Sequence, residues 1–268
     1  MGYQVKVVAS SVFPLTGDVL TTMEIVVPGT MLEYIYKHRM FSCTNTSEYM
    51  LSAREILESI RDNPYVPTFR ELKSVDSGLA VAQKQWLELR DAAARQASEY
   101  ITTGLDHYAK ALLRPFSWQT VVVTATEWEH FFALRHNDKL TEIQVIAQLM
   151  YQAHSEGQPQ IINSGEWHLP YIEFEELGVD QVQKISVARC AHPGERSSQD
   201  NIEIYEQLLK IGHFTPLEHV ATPDTRIFYR LQDYARILHD DWSFRQSHGN
   251  FRGWRQLRKF VIADDDDH

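Results

Sequence analysis

Two short runs hold the residues best suited to chemistry. In the first, Lys37-His38-Arg39 is followed by seven residues and then Ser47. These place an imidazole and a fixed guanidinium at the end of a helix predicted over 30–40. The loop that follows carries Ser42, Thr44, Asn45, Thr46 and Ser47. Hydroxyls, an amide and backbone N–H groups in that order can cradle phosphate oxygens, and Ser47 would cap the next helix, where the macrodipole favours an anion. Ordinary helix-end preferences also account for Arg39 as a surface cation and Ser47 as a simple cap. The second run, Gly212-His213-Phe214-Thr215-Pro216-Leu217-Glu218-His219, reads as a helix end at glycine and a proline-fixed turn. His213, Glu218 and His219 are metal-ligand types, but no further spacing supports a zinc motif, and no metal is predicted.

The elements that must position these runs follow from patterning. Residues 3–11 and 21–27 alternate and are rich in Val, with Phe13-Pro14-Leu15-Thr16-Gly17 between them, which predicts a hairpin. Helices are predicted over 30–40, 47–61, 79–113 (broken near Gly104 and stopped at Pro115), 126–134, 140–153 and 201–211. Val121-Val122-Val123 reads as a short strand or the lead-in to a helix, and 184–189 as a strand. Residues 65–78 and 157–180 read as irregular. One shared core over 1–263 is expected, with 264–268 as a disordered acidic tail.

Composition narrows the class. The chain has 268 residues, 43% hydrophobic and 23% charged, enough to bury a core without disulfides or a structural metal. Four of the charges behind the formal net of -10 fall in the terminal Asp run. That balance excludes a duplex-coating protein, which needs a basic face, but not a small anionic ligand held by a local Arg cluster. Two cysteines, Cys43 and Cys190, imply no disulfide framework and point to a reducing cytoplasm. No apolar stretch is long enough for a membrane span, and residues 1–14 lack a signal-peptide pattern. Dinucleotide, Walker, nucleophile-elbow and H-E-x-x-H fingerprints are absent.

Taken together, the two runs resemble the flavin-dependent thymidylate synthases, particularly the phage-type members. Lys37-His38-Arg39-x7-Ser47 is similar to their R-H-R-x7-S signature, with Lys for the first Arg. Gly212 to His219 is similar to G-H-x-S-P-x-E-H, with Thr215 for Ser. Phe131-Phe132-Ala133-Leu134-Arg135 is similar to the helix end F-x-x-L-R. Smaller matches are Glu166-Trp167-His168-Leu169-Pro170, Ser186-Val187-Ala188-Arg189 and Gly249-Asn250-Phe251-Arg252-Gly253-Trp254-Arg255. The order is permuted relative to most members, since the G-H-x-S-P-x-E-H run lies near the C-terminus. A permuted chain can build the same site if its ends were originally close.

The resemblance implies an α/β (α+β) fold with an antiparallel-sheet core and flanking helices. It also implies FAD-dependent methylation of a pyrimidine deoxynucleotide, dUMP to dTMP, with methylenetetrahydrofolate and NADPH. The chain would form a homotetramer with shared active sites, in the host cytoplasm if phage-encoded. Lys37, His38, Arg39, His213, Thr215, Glu218 and His130 would hold FAD. Tyr34, Asn45, Thr46, Ser47, Glu48, Tyr49, Lys110 and Arg135 would face the nucleotide. Ser47 would sit near its phosphate or reacting carbon, and Arg135 would favour ionisation at N3, a task suited to a permanent cation.

Several positions depart from the family pattern. Tyr49 stands where an Arg is usual, and Ala111 where a phosphate Arg is usual, with Lys110 beside it. Leu140-Thr141-Glu142-Ile143 is one residue short of the family motif, and His130 replaces an Asn. Two lost charge-assisted phosphate contacts would cost about 1.5–3 kcal/mol each. These departures motivate two alternatives: a relative with altered substrate or product (another pyrimidine nucleotide, or hydroxymethylation), and a non-catalytic flavin- or nucleotide-binding subunit. Cys43 as an attacking thiolate is weighed against Cys43 as a small buried hydrophobe, and the second reading is preferred.

Overall fold

The computed structural model describes residues 2–69, 76–173, 177–225 and 249–265. The Val-rich alternation folds as the expected hairpin, β1 (Gln4–Val12) against β2 (Val19–Pro28), with Gln4 opposite Val26 and a bulge between Val7 and Ala9. Two further antiparallel strands, β3 (Ser42–Asn45) and β4 (Trp118–Ala125), and the short parallel β5 (Gln160–Ile161) complete a sheet of order β3-β4-β2-β1-β5. The Val121–Val123 run is therefore strand interior, where β-branched side chains pack on both faces. The architecture is a mixed α/β core of mainly antiparallel strands flanked by helices, as expected.

Directly opposed residues of an antiparallel sheet share a face, and the two faces here differ in chemistry. Met23, Ile25, Val27, Val121, Val123 and Ala125 form an apolar face under α1 (Leu32–Tyr36), α6 (Glu129–Arg135) and α7 (Thr141–Glu156). The opposite face carries the buried hydroxyls of Ser11, Thr22, Thr124 and Thr44. Covering it are α8 (Val179–Ala191), α9 (Ser198–Lys210), a 3-10 turn (Thr215–His219) and the pair β6 (Ala221–Pro223) and β7 (Trp254–Gln256). A separate cluster joins α3 (Ala53–Asp62), α4 (Asp76–Thr102) and α5 (Asp106–Leu113). Among the described residues no helix is long and apolar enough to cross a membrane.

Local structure departs from expectation in four places. Residues 42–45, expected as loop, are the edge strand β3, whose polar side chains are satisfied by partners far along the chain. The helix predicted over 30–40 is shorter: a 3-10 turn leads into α1, which ends at Tyr36. The stretch 184–189 lies within helix α8, not a strand. Val182, Ile185, Ser186, Val187, Ala188, Cys190 and Ala191 are all buried, so burial around most of its circumference hides the helical period. The helix predicted over 47–61 is two, α2 (Thr46–Met50) and α3. Leu51 is extended, and Ser52 opens α3 with a capping box: its Oγ accepts from Glu55 N–H at 3.2 Å, and the Glu55 carboxylate accepts from Ser52 N–H at 2.7 Å. Ser52→Ala should cost about 1 kcal/mol, read as a lower urea midpoint at unchanged slope.

The last helix, α10 (Arg258–Asp265), takes in the first two residues of the acidic run expected to be a disordered tail. Residues 266–268, part of the loop expected over 65–78 (70–75), residues 174–176 and residues 226–248 lie outside the described residues.

Candidate functional site

The two chemistry-bearing runs meet at the free edge of the sheet. There β3, α2 and the start of the 3-10 turn enclose a cavity of about 200 Å³. It is lined by Tyr36, Cys43, Thr44, Asn45, Glu48, Tyr49, His213 and Thr215. Helix α9 delivers His213. It stops at Gly212, whose φ of 69° suits a residue without Cβ, and His213 N–H returns to Leu208 C=O at 2.8 Å. The Tyr49 and His213 rings lie 4.3 Å apart, with Tyr49 Oη 3.5 Å from His213 Nδ1. Burial lowers the His213 pKa, while burial and the Glu48 carboxylate raise that of Tyr49, so both are neutral at pH 7. His213 Nε2 is buried without a hydrogen-bond partner.

Helix α2 divides the residues expected to face one nucleotide. Asn45, not Ser47, is its N-cap, with Oδ1 accepting from Glu48 N–H at 3.3 Å. Asn45, Glu48 and Tyr49 turn to the edge cavity. Thr46 and Ser47 instead border a second cleft of about 460 Å³ with Glu24, Met50, Trp118 and Thr120. Ser47 Oγ accepts from Thr120 N–H at 2.8 Å, and Thr46 Oγ1 donates to Thr120 C=O at 3.1 Å, so both hydroxyls tie α2 to the sheet. Lys110 Nζ donates to Glu48 C=O at 3.0 Å, closing α2 rather than standing free for a phosphate. A further cation beside the cavity is Arg114, 3.3 Å from the Glu48 carboxylate and 40% exposed. Sequence reasoning missed it, although it lies three residues after Ala111, the position where a family Arg is usual.

The remaining expected residues lie elsewhere. His38 is buried with its ring stacked on His130 at 5.4 Å and in contact with Phe41 and Phe131, and its Nε2 has no partner. Burial, then the His130 and Arg135 charges, lower its pKa. Arg135 pairs with Asp138 at 2.8 Å and lies over the Tyr34 ring at 5.5 Å. Lys37 pairs with Glu33 on the surface, and Arg39 is exposed. None of these six lines the edge cavity. Glu218 is bound by Arg258, and His219 turns into the sheet, so His213, Glu218 and His219 do not converge. Among the described residues no group of His, Cys, Asp and Glu is arranged to hold a metal.

Cys43 borders the cavity, but burial and then the Glu218 carboxylate push its thiol well above the usual range. It is protonated at neutral pH and unsuited to attack as a thiolate. The FAD expectation can be tested for fit in the same way. A cavity of about 200 Å³ has room for a single-ring base but falls below the roughly 300–1,000 Å³ of ordinary cofactor sites. Of the residues expected to hold FAD, His213 and Thr215 line this cavity, His38 and His130 stack on each other, Lys37 and Arg39 lie on the surface and Glu218 is held by Arg258. The described residues of one chain do not by themselves fit the cofactor.

No protein-family model and no curated protein matches this chain. Among solved structures it is similar to a crystal structure of the UMP/dUMP methylase PolB from Streptomyces cacaoi bound with 5-Br UMP. Identity is 15%, over 57% of this chain and 89% of that one, with a TM-score of 0.46. Overlap that shallow is no argument for a shared activity.

Proposed function

We propose that the edge cavity binds the base of a pyrimidine nucleotide and that the chain methylates it, most simply dUMP to dTMP, using methylenetetrahydrofolate, NADPH and FAD. One observation carries the reading: two motifs far apart in sequence close on one cavity, with the Tyr49 ring packed at a tilt against His213, 164 positions away. Unrelated helix ends have no reason to converge there. Asn45, Thr215 and neutral His213 supply the uncharged donors and acceptors that a base edge requires, and Arg114, paired with Glu48, is a cation next to the site. Because one chain does not enclose FAD, the proposal includes a second copy, within a homotetramer, completing the flavin side.

The test is direct. Purified protein is loaded with FAD, desalted and incubated with methylenetetrahydrofolate, NADPH and either dUMP or dCMP, with products read by mass spectrometry. Retained flavin and a methylated dUMP are expected. Failure to retain flavin, or retained flavin with no nucleotide product, overturns the reading. A product from dCMP alone, or a hydroxymethyl product, would replace it with the altered-substrate alternative.

A further inference from the structure

On the polar face of the sheet, six buried side chains from five elements and a loop form an unbroken chain of hydrogen bonds. Thr44 Oγ1 is 2.8 Å from His219 Nε2, and His219 Nδ1 is 2.7 Å from Thr124 Oγ1. Thr124 Oγ1 is 2.7 Å from Thr22 Oγ1, which is 2.8 Å from His168 Nε2. His168 Nδ1 is 2.8 Å from Ser11 Oγ. The chain crosses β3, β4, β2 and β1, and no member is more than 4% exposed. One end, Thr44, borders the edge cavity.

Proton counting restricts this chain. Each hydroxyl and each neutral imidazole carries one proton to donate. Burial takes both histidine pKa values down to about 3, so the rings stay neutral at pH 7. If both rings accepted from the central threonines, the Thr22–Thr124 contact would have no proton. If both rings donated to them, one central hydroxyl, fully buried, would hold a proton with no acceptor. Only two arrangements fill every link and leave the spare proton at an end. In one, both histidines are Nδ1–H and Thr44 donates to His219, leaving a lone pair as the free valence of Thr44. In the other, both are Nε2–H and His219 donates to Thr44, leaving the Thr44 proton free.

We propose that Ser11, His168, Thr22, Thr124, His219 and Thr44 act as one unit with two coupled tautomeric states, which makes Thr44 a specificity-determining residue able to meet either a ligand carbonyl or a ligand amino group. A carbonyl at Thr44 selects Nε2–H in both rings, and an amino group selects Nδ1–H in both. The coupling rests on geometry and not on the nucleotide reading, so it is tested without ligand.

Long-range nitrogen-15 spectra of histidine-labelled protein at neutral pH separate the two tautomers. His168 and His219 should share one tautomer in the unaltered protein, and opposite tautomers would overturn the proposal. Thr44→Val removes the partner of His219 Nε2. A buried N–H without an acceptor costs more than an unused lone pair, so both rings should move to Nδ1–H, the remote His168 included. Ser11→Ala removes the partner of His168 Nδ1, and both rings, the remote His219 included, should move to Nε2–H. A remote ring that holds the same tautomer in both variants overturns the coupling. If one variant fails to fold, agreement or disagreement of the two rings in the other and in the unaltered protein still decides it.

Discussion

Acidification from pH 7 to pH 4 should remove roughly 6 kcal/mol of stability, about 3 kcal/mol for each of His168 and His219. The sign follows from burial. Both rings have folded pKa values of about 3, below the ordinary 6.5, because desolvation penalises the charged imidazolium. As pH falls through 6.5 the unfolded chain takes up protons that the folded chain refuses, so the stability present above pH 6.5 is lost progressively toward pH 3. Domains typically hold only about 5–15 kcal/mol in total, so the chain should approach or cross unfolding in this window. Down to the isoelectric point near 5.6, acidification also reduces the net charge of -10 and its self-repulsion, which acts in the opposite direction; below that point the growing positive charge adds to the loss. A urea midpoint that already falls between pH 7 and about 5, above the carboxylate range, is therefore the expected signature of buried neutral histidines. A flat midpoint would show that the rings are not sequestered as described.

Gly29→Ala should cost roughly 3 kcal/mol or more, at or beyond the upper end of the usual range for overpacking. A Cβ on Gly29 would lie 2.0 Å from the Arg114 carbonyl oxygen, with its carbon and the Arg114 Cγ at 2.9 Å. The carbonyl cannot simply give way. Ser117 donates to it through both backbone N–H and Oγ, and Gly29 N–H is held by Ser117 C=O at 2.9 Å. Arg114 pairs with Glu48 at the rim of the edge cavity, so the displacement would carry into the site. Urea unfolding measures the cost, with Gly2→Ala as the control, since a Cβ there meets nothing within 4 Å and should change stability by less than about 0.5 kcal/mol. Equal midpoints for the two variants would refute the contact.

Much of the candidate site was legible as motif and little of it as geometry. Gly212 marked the end of α9, and the family resemblance pointed to Asn45, His213 and Thr215, and to Tyr49 as a departure, before any coordinate. That α2 points Asn45, Glu48 and Tyr49 one way and Thr46 and Ser47 the other is the i, i+3, i+4 split of a helix capped by Asn45, hidden because the helix was expected to start at Ser47 and run on past Leu51. Ser52-x-x-Glu55 was a visible capping signal and would have marked the break. Arg114 was hidden because its role depends on α5 docking beside α3, a contact between segments far apart in sequence.

The sequence by itself determined the β1–β2 hairpin, the long helices and the identity of the two motif runs. These depend on period, caps and turns, which act over a few residues and leave a trace in local order. Only the tertiary structure decided that 42–45 is a strand, that 184–189 is a helix, and that His219 turns away from His213 into the sheet. A hydrogen bond such as that between Thr44 and His219 joins residues 175 positions apart. It has no period, and whether a buried hydroxyl or imidazole is tolerable depends wholly on the partner that folding brings to it.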